Sequence, residues 1–339
     1  MNMTMDNSIG LNSLYIREYS LAIGIPGQQA KVFTNIKKPN DTQSHEIKFY
    51  FEVEKTRKSD PNVAKVQIYN LAEETRNDLE KRGYHVAISA GYIGRSKTLF
   101  EGDITKAQSH YQAPDWITDV EVRDGGTAYN YAMIYQTFCG GTSYKTLYKE
   151  LAAAMQLPIR YIDNSDVDQI MQNGVTYCGL ARKYLDALAL TTGHDWSIQN
   201  GGLQVIKTDG HNNQGIFKID ASHGMVGSPD AVDDDVTYHK GFNSTPLPKY
   251  MRPKTIRPIL KRASKKKKKR SKTVYGTPYR TKSHAIRVTS LLIPDIIPGC
   301  RVELSCNDKN RNGLWLVEKV SHKGDTFDQT WYTELILRC

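Results

Sequence analysis

Residues 49–92 read FYFEVEKTRKSDPNVAKVQIYNLAEETRNDLEKRGYHVAISAGY, and this stretch decides the fold class. Apolar residues occupy every second position from Ile47 to Val53 and again from Ala64 to Ile68. A period of two with one apolar face is typical of half-buried antiparallel strands. The stretch therefore predicts two β-strands close together in the chain.

A short helix is predicted directly after the second strand. Asn70 or the residues just after it can cap the helix, Glu73 and Glu74 suit its positive N-terminal end, and Gly83 suits the position after its last turn. Further strands are predicted at 19–23, 86–90, 99–105 and 116–122. We therefore expect an N-terminal arm over residues 1–14 and a first small β-barrel domain with one helix over residues 15–125.

Residues 126–208 have a different pattern, which predicts an α+β module. A helix is expected from Thr142 or Ser143 to Gln156, because Leu147, Leu151 and Met155 fall on one face. A second helix is expected over 179–192. Strands are expected at 159–162, 196–198 and 203–206, with a turn at 200–202.

The last unit, residues 209–339, is predicted to be a second β-barrel domain with strands at 285–290, 301–305, 314–321 and 330–337. Its end repeats the end of the first unit. Ser109-His110, a polar turn and Trp116-Ile117-Thr118 correspond to Ser321-His322, a polar turn and Trp331-Tyr332-Thr333. Either the two barrels are related, or generic hairpin sequence preferences produce the match. Related barrels would let three chains in a ring present six similar surfaces.

The net charge of +10 belongs to one segment. Residues 243–283 contain 15 Lys or Arg and no acid, and without them 31 basic and 36 acidic residues remain, a net charge of −5. Such dense like charge stays solvated, which predicts a basic loop in the second barrel. The loop is either only a mobile surface segment, a nuclear signal, or an electrostatic contact for phosphate or an acidic partner. The candidate contact residues are Lys261, Arg262, Lys265, Lys266, Lys267, Lys268, Lys269, Arg270 and Lys272.

The remaining motifs do not predict chemistry. The five cysteines include no CxxC pair, so we expect free buried thiols and no zinc site. The acidic turn at Asp230 and 233–235 lacks the calcium-loop pattern, and residues 91–97 lack the phosphate-loop pattern. His194-Asp195 and His322 with Asp325 lie outside any nucleophile motif, so structural roles are expected. No catalytic residue, metal ligand or cofactor is predicted.

Residues 49–92 also carry a resemblance to a known family, through a strand that ends in Lys-Thr, a following Pro-Asn pair and the IYNL strand end. Residues 100–105 (FEGDIT), 184–205 and 298–337 continue it in order. The chain resembles phage tail baseplate hub proteins, the tail hub or late-control protein family, which is related to the hub part of contractile injection system spikes. This chain departs from the family in its basic insertion, and it carries no spike or lysozyme part.

The resemblance implies a non-enzymatic structural protein, a homotrimeric ring that joins the hexameric tail tube to the trimeric central spike. The implied partners are further copies of the chain, the tail tube or a tube-initiator protein, and a separate spike protein. The tape-measure protein, baseplate wedge proteins and transient DNA contact are further candidates. The implied location is the virion tail baseplate, assembled in the host cytoplasm, since no apolar run spans a bilayer and residues 1–12 lack a signal peptide. Two alternatives remain: a cell-wall-degrading tail enzyme, and a nucleic-acid-binding protein that uses the basic loop.

Overall fold

The structure is a computed structural model that describes residues 16–36, 46–81, 83–163, 167–232 and 285–338. Most of these residues lie in β-strands, and the helices are concentrated in the middle of the chain. The predicted class, mainly β with an α+β insert, is confirmed.

The first β unit contains the predicted strands and the predicted helix. On the third strand, inward Phe49, Phe51 and Val53 alternate with outward residues, as the period of two predicts. The elements are β1 (Arg17–Gly24), β2 (Lys31–Thr34), β3 (Phe49–Thr56), β4 (Val63–Tyr69), α1 (Glu73–Leu79), β5 (His85–Tyr92), β6 (Lys97–Gln112) and β7 (Asp115–Arg123).

The helix α1 is shorter than predicted. It begins after Ala72, which makes no side-chain cap hydrogen bond, and Asn70 instead takes a left-handed conformation with φ of 54°. The Asn70 amide donates to Asp115, and its side-chain oxygen accepts from the Trp116 backbone amide. Of the predicted cap positions, the helix therefore uses Ala72, one of the residues just after Asn70, while the Asn70 side chain secures the end of β7.

The middle unit packs helices against two small sheets. Ser143 caps its first long helix by accepting from the Thr146 backbone amide, and Gly193 ends the second with φ of 69°. The elements are α2 (Gly126–Tyr131), β8 (Met133–Phe138), α3 (Tyr144–Ala154), β9 (Ile159–Ile162), β10 (Val175–Leu180), α4 (Ala181–Thr192), β11 (His194–Gln199) and β12 (Gly202–Lys207).

The second β unit follows. Its elements are β13 (Ile216–Ile219), β14 (Met225–Val232), β15 (Ala285–Leu291), β16 (Arg301–Leu304), β17 (Gly313–Asp325) and β18 (Trp331–Arg338). The predicted strands at the C-terminal end are confirmed, and β17 is longer than predicted.

The strands of the two β units belong to one sheet in the order β14-β15-β18-β17-β3-β4-β7-β6-β5-β1-β2, with β16 on β17 and β13 on β16. The units meet where β3 pairs with the second half of β17 in antiparallel register, from Thr56 opposite Lys319 to Tyr50 opposite Asp325. We call this pairing the seam.

The two β units have the same strand order. The first runs β3-β4-β7-β6-β5-β1 and the second runs β14-β15-β18-β17-β16-β13. Both long hairpins even shift register at the same place, between Ile104 and Lys106 in β6 and between Val317 and Lys319 in β17. The difference lies at the end, where β1 pairs antiparallel with β5 but β13 pairs parallel with β16. The repeat that the sequence indicates thus has a structural counterpart.

The repeat differs from the sequence alignment by one residue. Ser109 lies opposite Thr118 and His322 lies opposite Thr333, so Ser109 corresponds to His322 and not to Ser321. The equivalence follows from which residue lies opposite the threonine of the Trp-x-Thr strand in each hairpin. Matching the two Ser-His pairs in the sequence gives an alignment that is one residue off.

Candidate functional site

The seam combines a backbone ladder with charge pairs on the outer face of the sheet. Lys319 Nζ lies 3.0 Å from Glu54 Oε1, and Lys323 Nζ lies 3.5 Å from Glu52 Oε1. Lys323 also reaches Glu334 on β18 at 3.2 Å. Because these groups are partly exposed, each pair adds little stability, and their main effect is to favour this register.

Aromatic rings fill the inner face of the seam. The Phe51 and Trp331 rings meet edge to face with centroids 5.5 Å apart. A Cβ atom added at Gly324 would overlap both rings. A glycine is therefore needed here so that β17 can approach the Phe51 side chain.

A buried polar cluster lies where the three units meet. Lys55 at the end of β3 is fully buried, and its ammonium donates to Asn200 Oδ1 at 2.7 Å. Burial lowers the pKa of Lys55 to about 8, and the nearby Asp124 carboxylate partly opposes this. Asp124 itself accepts from the Gly201 backbone amide at 2.8 Å, and burial raises its pKa. The cluster thus ties the first β unit to the turn between β11 and β12.

His322 adds the second β unit to this cluster. Its Nδ1 lies 3.0 Å from Thr333 Oγ1, and its side chain is fully buried. Burial, together with the positive charge of Lys55, holds the pKa of His322 well below its usual range. The imidazole is therefore neutral at physiological pH.

Arg57 makes a second contact among the three units. Its guanidinium lies 3.4 Å from Glu318 of β17 and 3.5 Å from Asp195 of β11. It also donates to the backbone carbonyls of Lys207 and Thr208 at 3.1 and 3.2 Å. Burial raises the pKa of Asp195, and the Arg57 charge opposes that rise. A single buried cation thus joins all three units.

Among the strand edges that lack a partner within the described part of the chain, two lie at equivalent positions to the strands of the seam. The second half of β6, Lys106–Gln112, pairs with β7 on one side only, and β14 pairs only with β15. The corresponding half of β17 has β3 on its other side, and there Gly324 is buried, whereas its counterpart Tyr111 of β6 is 58% exposed. Unpaired strand edges are templates for another strand.

The basic residues that the sequence singles out, Lys261 to Lys272, lie outside the described residues. The whole segment falls between β14 and β15, whose ends pair through Val232 and Ala285. Asp230 of the acidic turn lies exposed on β14, and residues 233–235 lie outside the described part.

The two histidine–aspartate motifs are not brought together. Asp195 pairs with Arg57, as above. Asp325 accepts from the backbone amides of Phe327 and Asp328, which fixes the turn between β17 and β18. Lys97 of the rejected phosphate-loop motif pairs with Asp295 at 2.6 Å.

The prediction of buried thiols is partly wrong. Cys300 is buried, but Cys139 and Cys178 are exposed and Cys306 is half-buried, all of them free. Cys178 is exposed because it lies opposite Tyr135 on the open face of the two-stranded sheet β8–β10. Among the described residues no group of three or more His, Cys, Asp or Glu is arranged to hold a metal ion. No helix in that part of the chain is long and apolar enough to cross a membrane.

The polar cluster and the free edges were missed by sequence reasoning. A signal for Lys55 was present, since it continues the inward series Phe49, Phe51 and Val53 and so places a cation at an apolar position. Unpaired strand edges have no such sequence signal, because strand pairing depends on strands that are far apart in the chain.

Solved structures share this fold. The 43 kDa tail protein of prophage MuSo2 from Shewanella oneidensis matches with a TM-score of 0.57 and 10% identity, over 94% of this chain and 96% of that one. The tail protein from Neisseria meningitidis MC58 matches with a TM-score of 0.57 and 12% identity, over 95% of this chain and 96% of that one.

The E. coli c3393 protein matches with a TM-score of 0.53 and 11% identity, over 93% of this chain and 76% of that one. It is described as a component of the type VI secretion system with structural similarity to the T4 bacteriophage tail proteins gp27 and gp5. No protein-family model and no curated protein matches the sequence. The chain therefore has the fold of phage tail proteins and of a type VI secretion component, as the sequence resemblance predicted.

Proposed function

We propose that this chain is a structural hub of a phage tail baseplate, a ring-forming adaptor that joins the hexameric tail tube to the trimeric central spike. Its work is to bind and hold other proteins, with no chemical step. Its place is the virion tail, assembled in the host cytoplasm.

The strand order shared by the two β units supports this proposal most strongly. Each unit offers a similar four-stranded surface, β3-β4-β7-β6 in one and β14-β15-β18-β17 in the other. A ring of three chains would then carry six similar surfaces at nearly equal intervals. Such a ring fits a six-fold tube on one side and keeps three-fold symmetry for a spike on the other.

The buried contacts of Lys55 and Arg57 support the same role. They hold the middle unit against both β units, so that the three units act as one rigid body. A protein that connects two stacked assemblies depends more on a rigid structure than on a ligand-binding pocket.

The basic segment, Lys261 to Lys272, is proposed as the electrostatic contact of the hub. Since the segment falls between β14 and β15 in the chain, the described residues that flank it, Val232 and Ala285, lie at the end of the proposed ring-forming surface. An acidic stretch of the tape-measure protein or transiently passing DNA has the charge to bind it.

The proposal is tested by light scattering of the purified full chain, alone and mixed with the purified tube and spike proteins of the same phage. We expect a trimer that binds tube protein and spike protein at different sites, so that all three co-elute. A persistent monomer that ignores both proteins, or a clear lysis band on a cell-wall zymogram, would contradict the proposal.

A further inference from the structure

The side chains of Lys55 and Asn200 are placed for a reaction as well as for a hydrogen bond. Lys55 Nζ lies 2.7 Å from Asn200 Oδ1. The side-chain carbonyl carbon of Asn200 is bonded to that oxygen, so it lies within about 4 Å of the amine nitrogen, close to the separation of reacting atoms in a near-attack geometry. The other end of the amide is held too, because Asn200 Nδ2 donates to the Thr98 carbonyl at 3.3 Å.

Burial makes Lys55 a candidate nucleophile, since only the uncharged form of an amine attacks a carbonyl carbon. The Lys55 side chain is 0% exposed. Burial lowers the pKa of Lys55 to about 8, the Asp124 charge opposes this decrease and the Arg160 charge adds to it. Among the described residues the structure gives its ammonium one acceptor, Asn200 Oδ1. The charged form is therefore poorly stabilised, and part of the population is neutral at physiological pH.

The buried carboxyl of Asp124 can carry the proton that such a reaction moves. Its Oδ1 accepts from the Gly201 backbone amide at 2.8 Å, in the same turn that carries Asn200. Its Oδ2 has no hydrogen-bond partner among the described residues. Burial raises the pKa of Asp124, which favours the protonated carboxylic acid. An acid beside the amine and the amide is the group needed to polarise the carbonyl oxygen and to accept the proton of the amine.

We propose that Lys55 and Asn200 form an isopeptide bond, which joins the end of β3 covalently to the turn between β11 and β12. The Lys55 nitrogen attacks Asn200 Cγ and forms the new C–N bond. The Cγ–Nδ2 bond breaks, and Nδ2 leaves as ammonia with the proton that Nζ gives up and Asp124 carries. A primary amine and a primary amide thus become a secondary amide and ammonia, with no oxidation or reduction. No partner protein is needed, so the bond does not depend on the proposed hub role.

The ammonia has a route to solvent. Asn200 is half-buried, and together with Lys97, Thr98 and Arg160 it lines an open cleft at the junction of the three units. The amine thus attacks from the buried side of the amide, and the leaving nitrogen faces the side that reaches the cleft. Loss of ammonia into solvent makes the step irreversible in practice.

The bond would link two residues that are 145 positions apart in the chain. Like a disulfide it would restrict the unfolded chain, but reducing agents would not break it. It would also replace a buried ammonium with a neutral amide. Any pH dependence of stability that comes from the Lys55 ammonium therefore belongs to chains without the bond, and mass measurement distinguishes the two forms.

Mass spectrometry of the purified, denatured full chain tests the proposal. We expect most molecules to be lighter than the sequence mass by one ammonia. Protease digestion should release one branched peptide in which Lys55 is joined to Asn200. Molecules of full mass, with the two residues in separate peptides, would overturn the proposal. This measurement uses the natural chain and does not depend on the folding of any variant.

Lys55→Met is the matched control, because ammonia can also be lost in another way. In the Asn200-Gly201 pair the Gly201 amide nitrogen can attack the Asn200 side chain and form a succinimide. Lys55→Met keeps that pair and a side chain of similar length, and it should keep the full mass. Equal ammonia loss in Lys55→Met and in the natural chain would assign the loss to the succinimide and overturn the isopeptide bond.

Two further variants test the amide and the acid. Asn200→Gly removes the amide and suits the φ of 48° at this position, so the variant should fold and keep its full mass. Asp124→Asn keeps an oxygen for the Gly201 amide but has no acidic proton. Its bond should form about 100-fold more slowly after refolding, as expected on loss of an acid–base group. An unchanged rate in Asp124→Asn would contradict the proton-carrying role of Asp124, and ammonia loss in Asn200→Gly would contradict the bond itself.

Discussion

The ammonium of Lys55 lies 2.7 Å from Asn200 Oδ1, and the Lys55 side chain is fully buried while Asn200 is half-buried. This contact crosses from the first β unit to the middle unit. It also places a cation beside the buried Asp124 carboxylate, whose second oxygen has no hydrogen-bond partner among the described residues. Burying these charged groups costs free energy of folding, and the cluster forms because three units pack around it.

Lys55 should give the protein a measurable pH dependence of stability. Its pKa falls from 10.5 to about 8 on folding, so between these pH values the unfolded chain binds more protons than the folded chain. Stability from this group therefore rises as pH increases through that window, by on the order of 3 kcal/mol in total.

The measurement is urea unfolding of the natural protein and of Lys55→Met from pH 7.5 to 10.5. The difference in unfolding free energy between the two should change in favour of the natural protein as pH rises. Other groups that titrate there are present in both proteins and cancel. Lys58→Met, an exposed neighbour, is the control, and a flat difference for Lys55→Met would show that the ammonium is not buried.

Gly324→Ala should destabilise the seam. The added methyl overlaps the Phe51 and Trp331 rings, and overpacking of this kind costs about 1–3 kcal/mol. Phe51→Leu removes the far end of one ring, so the double variant should be more stable than the sum of the two single effects predicts. Chemical unfolding of all four proteins gives the coupling free energy. Additive effects would show that Phe51 does not contact this position.

Arg57→Ala should be more damaging than the loss of an exposed cation. It removes the cation from the half-buried Asp195 carboxylate, while the buried Glu318 carboxylate keeps only the Arg338 guanidinium at 3.5 Å. Because Arg338 remains, the cost should not exceed the about 3–5 kcal/mol of breaking an isolated buried pair.

Arg57→Lys keeps the charge but loses the forked contacts to the Lys207 and Thr208 carbonyls, so its cost should be intermediate. Thermal unfolding is the measurement, and early unfolding of the middle unit should appear as a separate transition. An Arg57→Ala protein as stable as the exposed-site control Lys58→Ala would contradict the role of Arg57 at the junction.

Deletion of residues 261–272 should reduce polyanion binding without changing the oligomeric state. Since these residues belong to none of the described strands, the deleted chain should keep its oligomeric state in light scattering. Its binding to a polyanion such as heparin should weaken at least ten-fold at low salt, because the removed segment holds nine of the basic residues.

A control that replaces the same residues with a Gly/Ser linker of equal length tests whether charge or mere length matters. Loss of the oligomer in both variants would show that the segment takes part in ring formation. Unchanged polyanion binding would remove the basis for the electrostatic contact.

The local elements were predictable because each depends on neighbours in sequence. The alternation from Ile47 to Val53 predicts β3, and Ser143 ahead of an apolar face predicts α3, as the structure confirms. Asn70 shows where this reasoning stops, since its amide bonds to Asp115 and its side-chain oxygen to the Trp116 amide, more than 40 residues away, instead of capping α1. Local signals cannot anticipate a distant partner that binds more strongly.

The sequence by itself determined that this is a mainly β chain with a helical insert, because side-chain periodicity and turn residues act over short distances. Only the tertiary structure decided that β3 joins β17, that Lys55 and Arg57 become buried between units, and that the outer edges of β6 and β14 have no partner among the described residues. Strand pairing depends on backbone hydrogen bonds that carry no residue code, so which edges meet is settled by the closing of the whole sheet.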